Sequence, residues 1–224
     1  MASFRFRFRQ HYWALAAPHK IRSYLQSAGE PRLQIGTGPN PLPGWLNTTL
    51  TPFQPGTIFL DASRLFPLPD ASFALIFGEH VIEHLEFHEA ALMLDECFRV
   101  LQPGGRLRLA TPDLAQIIAL YTRPEAAPQK AYIRWIMDSF RPQIGETNPA
   151  HVINQSFHGW RHKFIYDAPT LLQALEHAGF TDIQRYEPGE SDDERLRGIE
   201  QHGDLVGNDA AMRYETMVYE ARKP

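Results

Sequence analysis

Hydrophobic and polar residues change period along this chain, and each change marks an element. From Phe73 to Phe77 the chain is apolar without interruption, which predicts a strand buried on both faces. Ala90, Met93, Leu94, Cys97 and Leu101 then follow helical spacing and predict one buried stripe. Pro103-Gly104-Gly105 predicts a turn. Gly105 to Ala110 predicts a strand, with Leu107 and Leu109 on one face and Arg106 and Arg108 on the other, ended by Pro112.

The same reading extends to both ends. Residues 11–28 read as a helix, with Pro18 predicting a kink or a break and Gly29 and Pro31 closing it. Arg32 to Ile35 is a short strand closed by Gly36. Residues 37–56 hold five prolines and three glycines and read as a loop, with an extended piece near Trp45 to Leu50. Thr57 to Leu60 reads as a strand. Two helical pieces, about 113–122 and 128–140, precede a polar loop rich in aromatic residues, whose aromatics argue against disorder. Asp167 caps a helix with Leu171, Leu172, Leu175 and Ala178 apolar, ended by Gly179. Asp182 to Tyr186 is a strand, 188–209 an exposed connection, and Met212 to Ala221 the final strand.

Strands alternating with helices imply parallel pairing in a doubly wound sheet. Right-handed crossovers gather the strand carboxyl ends on one edge, where ligands bind. Gly36, Asp61, Glu79 and Thr111 all fall at such ends.

The 224 residues are 43% hydrophobic and 21% charged, an ordinary globular composition for one domain spanning 1–224. Within it, 1–30 reads as a helical arm and 112–166 as a lid or substrate insertion. The net charge of −4 gives no electrostatic case for nucleic acid, and no apolar run is long enough for a membrane span. The start, with Phe alternating with Arg5, Arg7 and Arg9, has no apolar signal core. It reads as a strand with one apolar face or an arm touching an acidic partner, and a docked or frayed arm is preferred to a functional basic patch. The single Cys97 reads as a packed thiol in a reducing, cytoplasmic setting.

The segment LQIGTGPNP, the Asp of LDASRLFPLP, the strand ending in Gly-Glu-His, and the Pro-Gly-Gly turn occur in this order. Together they resemble the class I S-adenosylmethionine (SAM) dependent methyltransferases, of the methyltransferase type 11 kind. The segments GPNPLPGWLNTTL and HGWRHKFIYDAPTLLQALEHAGF resemble a subgroup predicted to act on small molecules. The resemblance covers roughly residues 31–186 and the closing strand. It implies a Rossmann-like, doubly wound, mostly parallel α/β sheet of about seven strands. The last strand would be antiparallel, added beside the sheet edge, and an insertion would follow the fifth. It implies SAM as cofactor, S-adenosylhomocysteine as product, and Gly36, Thr37, Gly38, Thr49, Asp61, Ala62 and Glu79 as cofactor contacts. Two positions depart from the pattern: Gln34 and Thr49 stand where the superfamily usually has acids. A carboxylate grips a diol better than a hydroxyl does.

His80-Val81-Ile82-Glu83-His84 also spells H-x-x-E-H, a zinc-peptidase pattern, with His88 one turn further on. Its start directly after a buried strand argues against metal, so no metal ligands are expected. Under the methyltransferase reading His84 is the candidate base, with His80 second, because histidine exchanges protons near neutral pH. A second cluster holds His151, Asn154, His158, Trp160, Arg161, His162 and Tyr166. From it His158, Trp160, Arg161, His162 and Tyr166 are the expected substrate contacts, with Arg141 and Arg161 able to hold a carboxylate or phosphate. The expected activity is methyl transfer to oxygen or nitrogen of a small molecule, without nucleic acid or membrane partners. A non-catalytic binding or regulatory protein of the same fold is the alternative, and a zinc hydrolase on His80, Glu83 and His84 the third reading.

Overall fold

The computed structural model describes residues 4–224, with side chains from Tyr12 onward. Seven strands form one sheet: β1 (Arg32–Ile35), β2 (Leu46–Thr49), β3 (Thr57–Phe59), β4 (Phe73–Glu79), β5 (Leu101–Pro112), β6 (Thr181–Tyr186) and β7 (Thr216–Arg222). Their order is β3-β2-β1-β4-β5-β7-β6. The first five pair in parallel, while β7 runs antiparallel to both β5 and β6. The last strand is thus inserted between its neighbours rather than added at the edge.

Strand β4 sits at the centre, and Phe73, Leu75, Ile76 and Phe77 are fully buried, as an uninterrupted apolar run requires. Helix α2 (Phe87–Val100) buries Ala90, Met93, Leu94 and Cys97 completely. Its start is fixed by Glu89, whose carboxylate accepts from the Glu86 N–H at 2.8 Å. The Cys97 thiol is buried, and burial pushes its pKa up.

Three local expectations change. Helix α1 (Phe4–Ser27) runs through Pro18 without a break. The Phe/Arg start is therefore helical from Phe4, not extended; the side chains of residues 1–11, and with them the basic-patch question, lie outside the described residues. Strand β5 also runs through Pro103-Gly104-Gly105. Pairing jumps from Phe73↔Leu101 to Leu75↔Arg106, so the turn residues form a bulge. Gly105 is needed there: a Cβ would lie 2.9 Å from the carbonyl oxygens of Ala74 and Gln102.

The segment after β5 is mainly helical as far as Gly159, and 160–167 then runs without regular structure. Helices α3 (Leu114–Thr122), α4 (Ala127–Phe140) and α5 (Pro149–Asn154) are followed by a π-helical turn, Gln155–Gly159. Leu120, Tyr132, Ile133, Ile136 and Val152 form a second apolar cluster beneath them. The expected polar loop is therefore largely folded, because the aromatics within it supply buried area. Helix α6 (Ala168–His177) begins at Asp167, which accepts from the Thr170 N–H at 3.0 Å. Two short helices, α7 (His202–Val206) and α8 (Asp209–Glu215), precede β7. Residues 212–215, expected as the beginning of the last strand, are the last turn of α8.

Residues 188–209 are not a loose exposed connection. Arg108 is fully buried and stands opposite Glu220 across β5 and β7. Its guanidinium donates to Glu220 Oε1 at 2.6 Å, to Glu200 Oε1 at 2.5 Å and to the Glu190 carbonyl at 2.9 Å. Glu200 in turn accepts from the Gly189 N–H at 2.9 Å. This charge network pins the segment against the sheet.

Candidate active site at the carboxyl edge of the sheet

Two cavities open at the carboxyl ends of the parallel strands. The first has a volume of about 520 Å³ and is lined by Gly36, Thr49, Asp61, Ala62, Val81, Arg161 and Lys163, among others. The second has a volume of about 300 Å³, with Ile117, Trp135, Phe140, Ser156, Trp160, His162, His202 and Glu215 in its walls. His80 and His84 line both cavities and form their common wall.

His80 follows β4 directly, in the left-handed region at φ +50°. Its N–H donates to the Ala110 carbonyl at 2.9 Å. Residues Ile82–His84 then make one 3₁₀ turn. H-x-x-E-H therefore does not lie on a continuous helix, and His88 is exposed on α2. His80 Nδ1 lies 3.1 Å from Glu83 Oε1, and Glu83 Oε2 accepts from the Thr111 hydroxyl at 3.0 Å.

Burial by itself would lower the His80 pKa. The hydrogen bond and charge of Glu83, then the charges of Glu215 and Glu79, outweigh it and raise the group to about 9. Burial would likewise raise Glu83, but the His80 imidazolium holds it down to about 2. The charges of Glu83, Glu215 and Glu79 favour the protonated form of His80, which weighs against it as the base. His84 is exposed, its ring edge-on to His162 at 4.9 Å. The Glu83 carbonyl accepts from the N–H groups of Lys163 and Phe164, which brings His162 to this wall.

The pinned segment delivers residues that pattern reading missed. Glu79 accepts from the N–H groups of Gln201 and His202 at 3.0–3.1 Å, capping the start of α7. His202 stacks on His80 with ring centroids 3.9 Å apart. Burial, followed by the His80 charge, lowers His202 to about 3, so it is neutral. Its Nε2 lies 3.8 Å from Glu215 Oε1. Burial raises the Glu215 carboxyl, which accepts the Tyr132 hydroxyl proton in a hydrogen bond. Burial likewise lowers His162 to about 4. No local spacing points to His202, Glu215, Trp135 or Phe140, which come from three helices, α4, α7 and α8.

The expected residues divide between the two cavities. Gly36, Thr49, Asp61 and Ala62 line the first; Trp160 and His162 line the second. Arg161, expected at the substrate, lines the first cavity instead. Thr37 is buried in the loop and Gly38 is exposed, and neither lines it. Glu79 is turned away, committed to α7. His158, His151 and Asn154 are exposed outside both cavities, and Arg141 lines neither. Tyr166 is a core residue, 4.7 Å from the Phe164 ring, because the chain from Phe164 to Tyr166 packs on the sheet. Among the described residues two trios place metal-ligand atoms within 4.8 Å of one another: His80, His202 and Glu215, and Glu83, His84 and His162. The H-x-x-E-H trio is divided between them.

Residues 46–109 match the family model described as a methyltransferase domain. A stretch of 47 residues is 49% identical to a probable S-adenosylmethionine-dependent methyltransferase of Mycolicibacterium smegmatis. That stretch covers 21% of this chain and only 18% of the relative. A SAM-dependent methyltransferase structure from Archaeoglobus fulgidus matches at TM-score 0.51 and 18% identity, over 99% of this chain and all of that one. One from Mesorhizobium loti matches at TM-score 0.50 and 19% identity, over 90% and 95%. The chain has the class I SAM-dependent methyltransferase fold.

The residues of the first cavity fit that cofactor. Gly36, at φ +69°, lets the backbone turn beneath Val81; a Cβ there would lie 2.2 Å from Val81 Cγ2. Asp61, which lines the cavity, gives one oxygen to the Ser63 N–H and hydroxyl, and the other lies 3.3 Å from the exposed Arg64 guanidinium. Thr49 offers a hydroxyl. Arg161 offers charge for a carboxylate, while Lys163 is already paired with Glu89 at 3.0 Å. Gln34 contributes nothing, since its amide is used by the Asn40 carbonyl and the Leu42 N–H.

Proposed function

We propose that this chain transfers a methyl group from SAM to an oxygen or nitrogen of a small molecule. The observation that carries this reading is the common wall: His80 and His84 border both a cavity of nucleoside-cofactor size and a second, aromatic cavity. A reaction between two bound molecules needs two such adjoining sites. When bound, the cofactor supplies an electrophilic methyl on a sulfonium that departs as a neutral thioether.

Asp61 and Thr49 would hold the nucleoside end, and Arg161 would favour the carboxylate of the tail. His80, fixed by Glu83, is a positioning residue that sets the shape of the common wall. His84 borders the acceptor and is exposed, so it takes the acceptor proton and passes it to water. Trp160 and His162, with His202 and Ser156, orient the acceptor. Orientation accounts for most of the rate gain in a displacement with a good leaving group. No described helix is long and apolar enough to cross a membrane. A cytoplasmic setting fits the lone buried thiol.

Calorimetric titration with SAM and S-adenosylhomocysteine tests the reading. Micromolar binding of both, lost on changing Asp61, supports it. Absence of binding favours the second reading, a non-catalytic member of the fold. The commitment of Gln34 and Glu79 to the protein's own backbone is the observation on its side.

A further inference from the structure

We propose that the acceptor is a small amine, bound through its cationic nitrogen in the second cavity; this rests on the methyltransferase reading. Trp135, Phe140 and Trp160 line that cavity. Their rings meet nearly at right angles: 88° between Trp135 and Phe140, with centroids 5.8 Å apart, and 83° between Phe140 and Trp160, at 5.5 Å. Perpendicular aromatic walls present ring faces in more than one direction, the arrangement that attracts an ammonium group.

The charges of the site point the same way. No Lys or Arg is among the described residues lining the cavity. The one cation there, His80, is matched by Glu83 at 3.1 Å. Glu215 lines the cavity, with one carboxylate oxygen held by the Tyr132 hydroxyl. Burial opposes ionisation of Glu215, and a bound cation would offset that cost. The same balance rejects a phosphate or carboxylate at this end, because no fixed cation is free to pair with it.

The step balances simply. The ammonium gives one proton to His84 and thence to water, freeing the nitrogen lone pair. The nitrogen–carbon bond forms as the carbon–sulfur bond breaks. The bonding pair goes to sulfur, and the product is a methylated ammonium with its charge retained in the aromatic walls.

The test compares choline with its neutral carbon isostere, 3,3-dimethylbutan-1-ol. Each is titrated by tryptophan fluorescence into the protein alone and into protein saturated with S-adenosylhomocysteine. Choline binding at least about tenfold tighter than the isostere is expected. Trp160→Leu and Glu215→Gln should each remove most of that preference, while S-adenosylhomocysteine affinity changes by less than about twofold. Circular dichroism shows whether Glu215→Gln folds; if it does not, Trp160→Leu alone decides. Equal binding of the two probes, or a preference unaffected by Trp160→Leu, overturns the amine assignment. Failure of S-adenosylhomocysteine to bind overturns the methyltransferase reading instead, and the cation preference is still measured in the protein alone.

Discussion

His80 and Glu83 form an ion pair, Nδ1 to Oε1 at 3.1 Å, inside the wall that separates the two cavities. Glu83 is fully buried and also holds the Thr111 hydroxyl, so strand β5 braces the pair. A buried carboxylate of this kind is costly unless paired and hydrogen-bonded, and here it is both. The pair fixes the imidazole that borders both binding spaces.

Stability should therefore peak near pH 6.5. His80 is raised from 6.5 to about 9, so its contribution is complete below pH 6.5 and lost as pH rises through 9. His162 and His202 are lowered to about 4 and about 3, so acid protonates the unfolded chain first and stability falls below pH 6.5. Glu83 adds to the acid loss only as pH falls from 4.5 through about 2. Each proton gives a slope of about 1.4 kcal/mol per pH unit. Urea unfolding across this range measures it, and a His80→Asn/Glu83→Gln double variant should flatten the alkaline limb. A wild-type profile already flat between about pH 7 and about pH 9 would remove the ion pair from the account.

Asp61→Asn should weaken SAM binding about tenfold, or about 1.4 kcal/mol, with little change in unfolding midpoint. The amide oxygen can keep the Ser63 contact, so the turn survives while the charge goes. Calorimetry reads this, and unchanged affinity would mean that Asp61 only closes its turn.

His84→Gln should lower turnover by about 10²-fold or more with SAM affinity within about twofold of wild type. The side chain is exposed, so folding should not suffer. Equal turnover would pass the proton-accepting role to another group or to water.

Glu79→Gln should raise the acceptor KM more than it changes SAM affinity. The carboxylate holds the Gln201 and His202 N–H groups, and an amide keeps fewer acceptor positions. His202 would then lose its fixed place on the His80 ring. A change in SAM affinity alone would show that Glu79 serves the cofactor after all.

Arg108→Met should cost about 3–5 kcal/mol, because it leaves Glu200 buried without its cation and Glu220 with Arg106 alone. Chemical unfolding measures the loss. Replacing all three charges with apolar residues should restore part of it, and no recovery would indicate that the segment at 189–200 depends on this network for its path.

The sequence by itself determined the parallel part of the sheet. The apolar run Phe73 to Phe77, the stripe from Ala90 to Cys97 and the glycine at 36 each specify local conformation through periodicity or backbone freedom. These signals are contained within a few residues, so they are legible without the fold. They also located His80, His84 and Asp61, since strand ends in such a sheet face the ligand edge. What only the tertiary structure decided was the second cavity. His202, Glu215, Trp135 and Phe140 come from helices α4, α7 and α8 and meet only because Arg108 pins residues 189–200 and Glu79 captures the start of α7. The charge of His80 was equally invisible, since it depends on desolvation and on Glu83 turning toward it within a 3₁₀ turn. Periodicity records which face of an element is buried, but not which distant charge is buried against it.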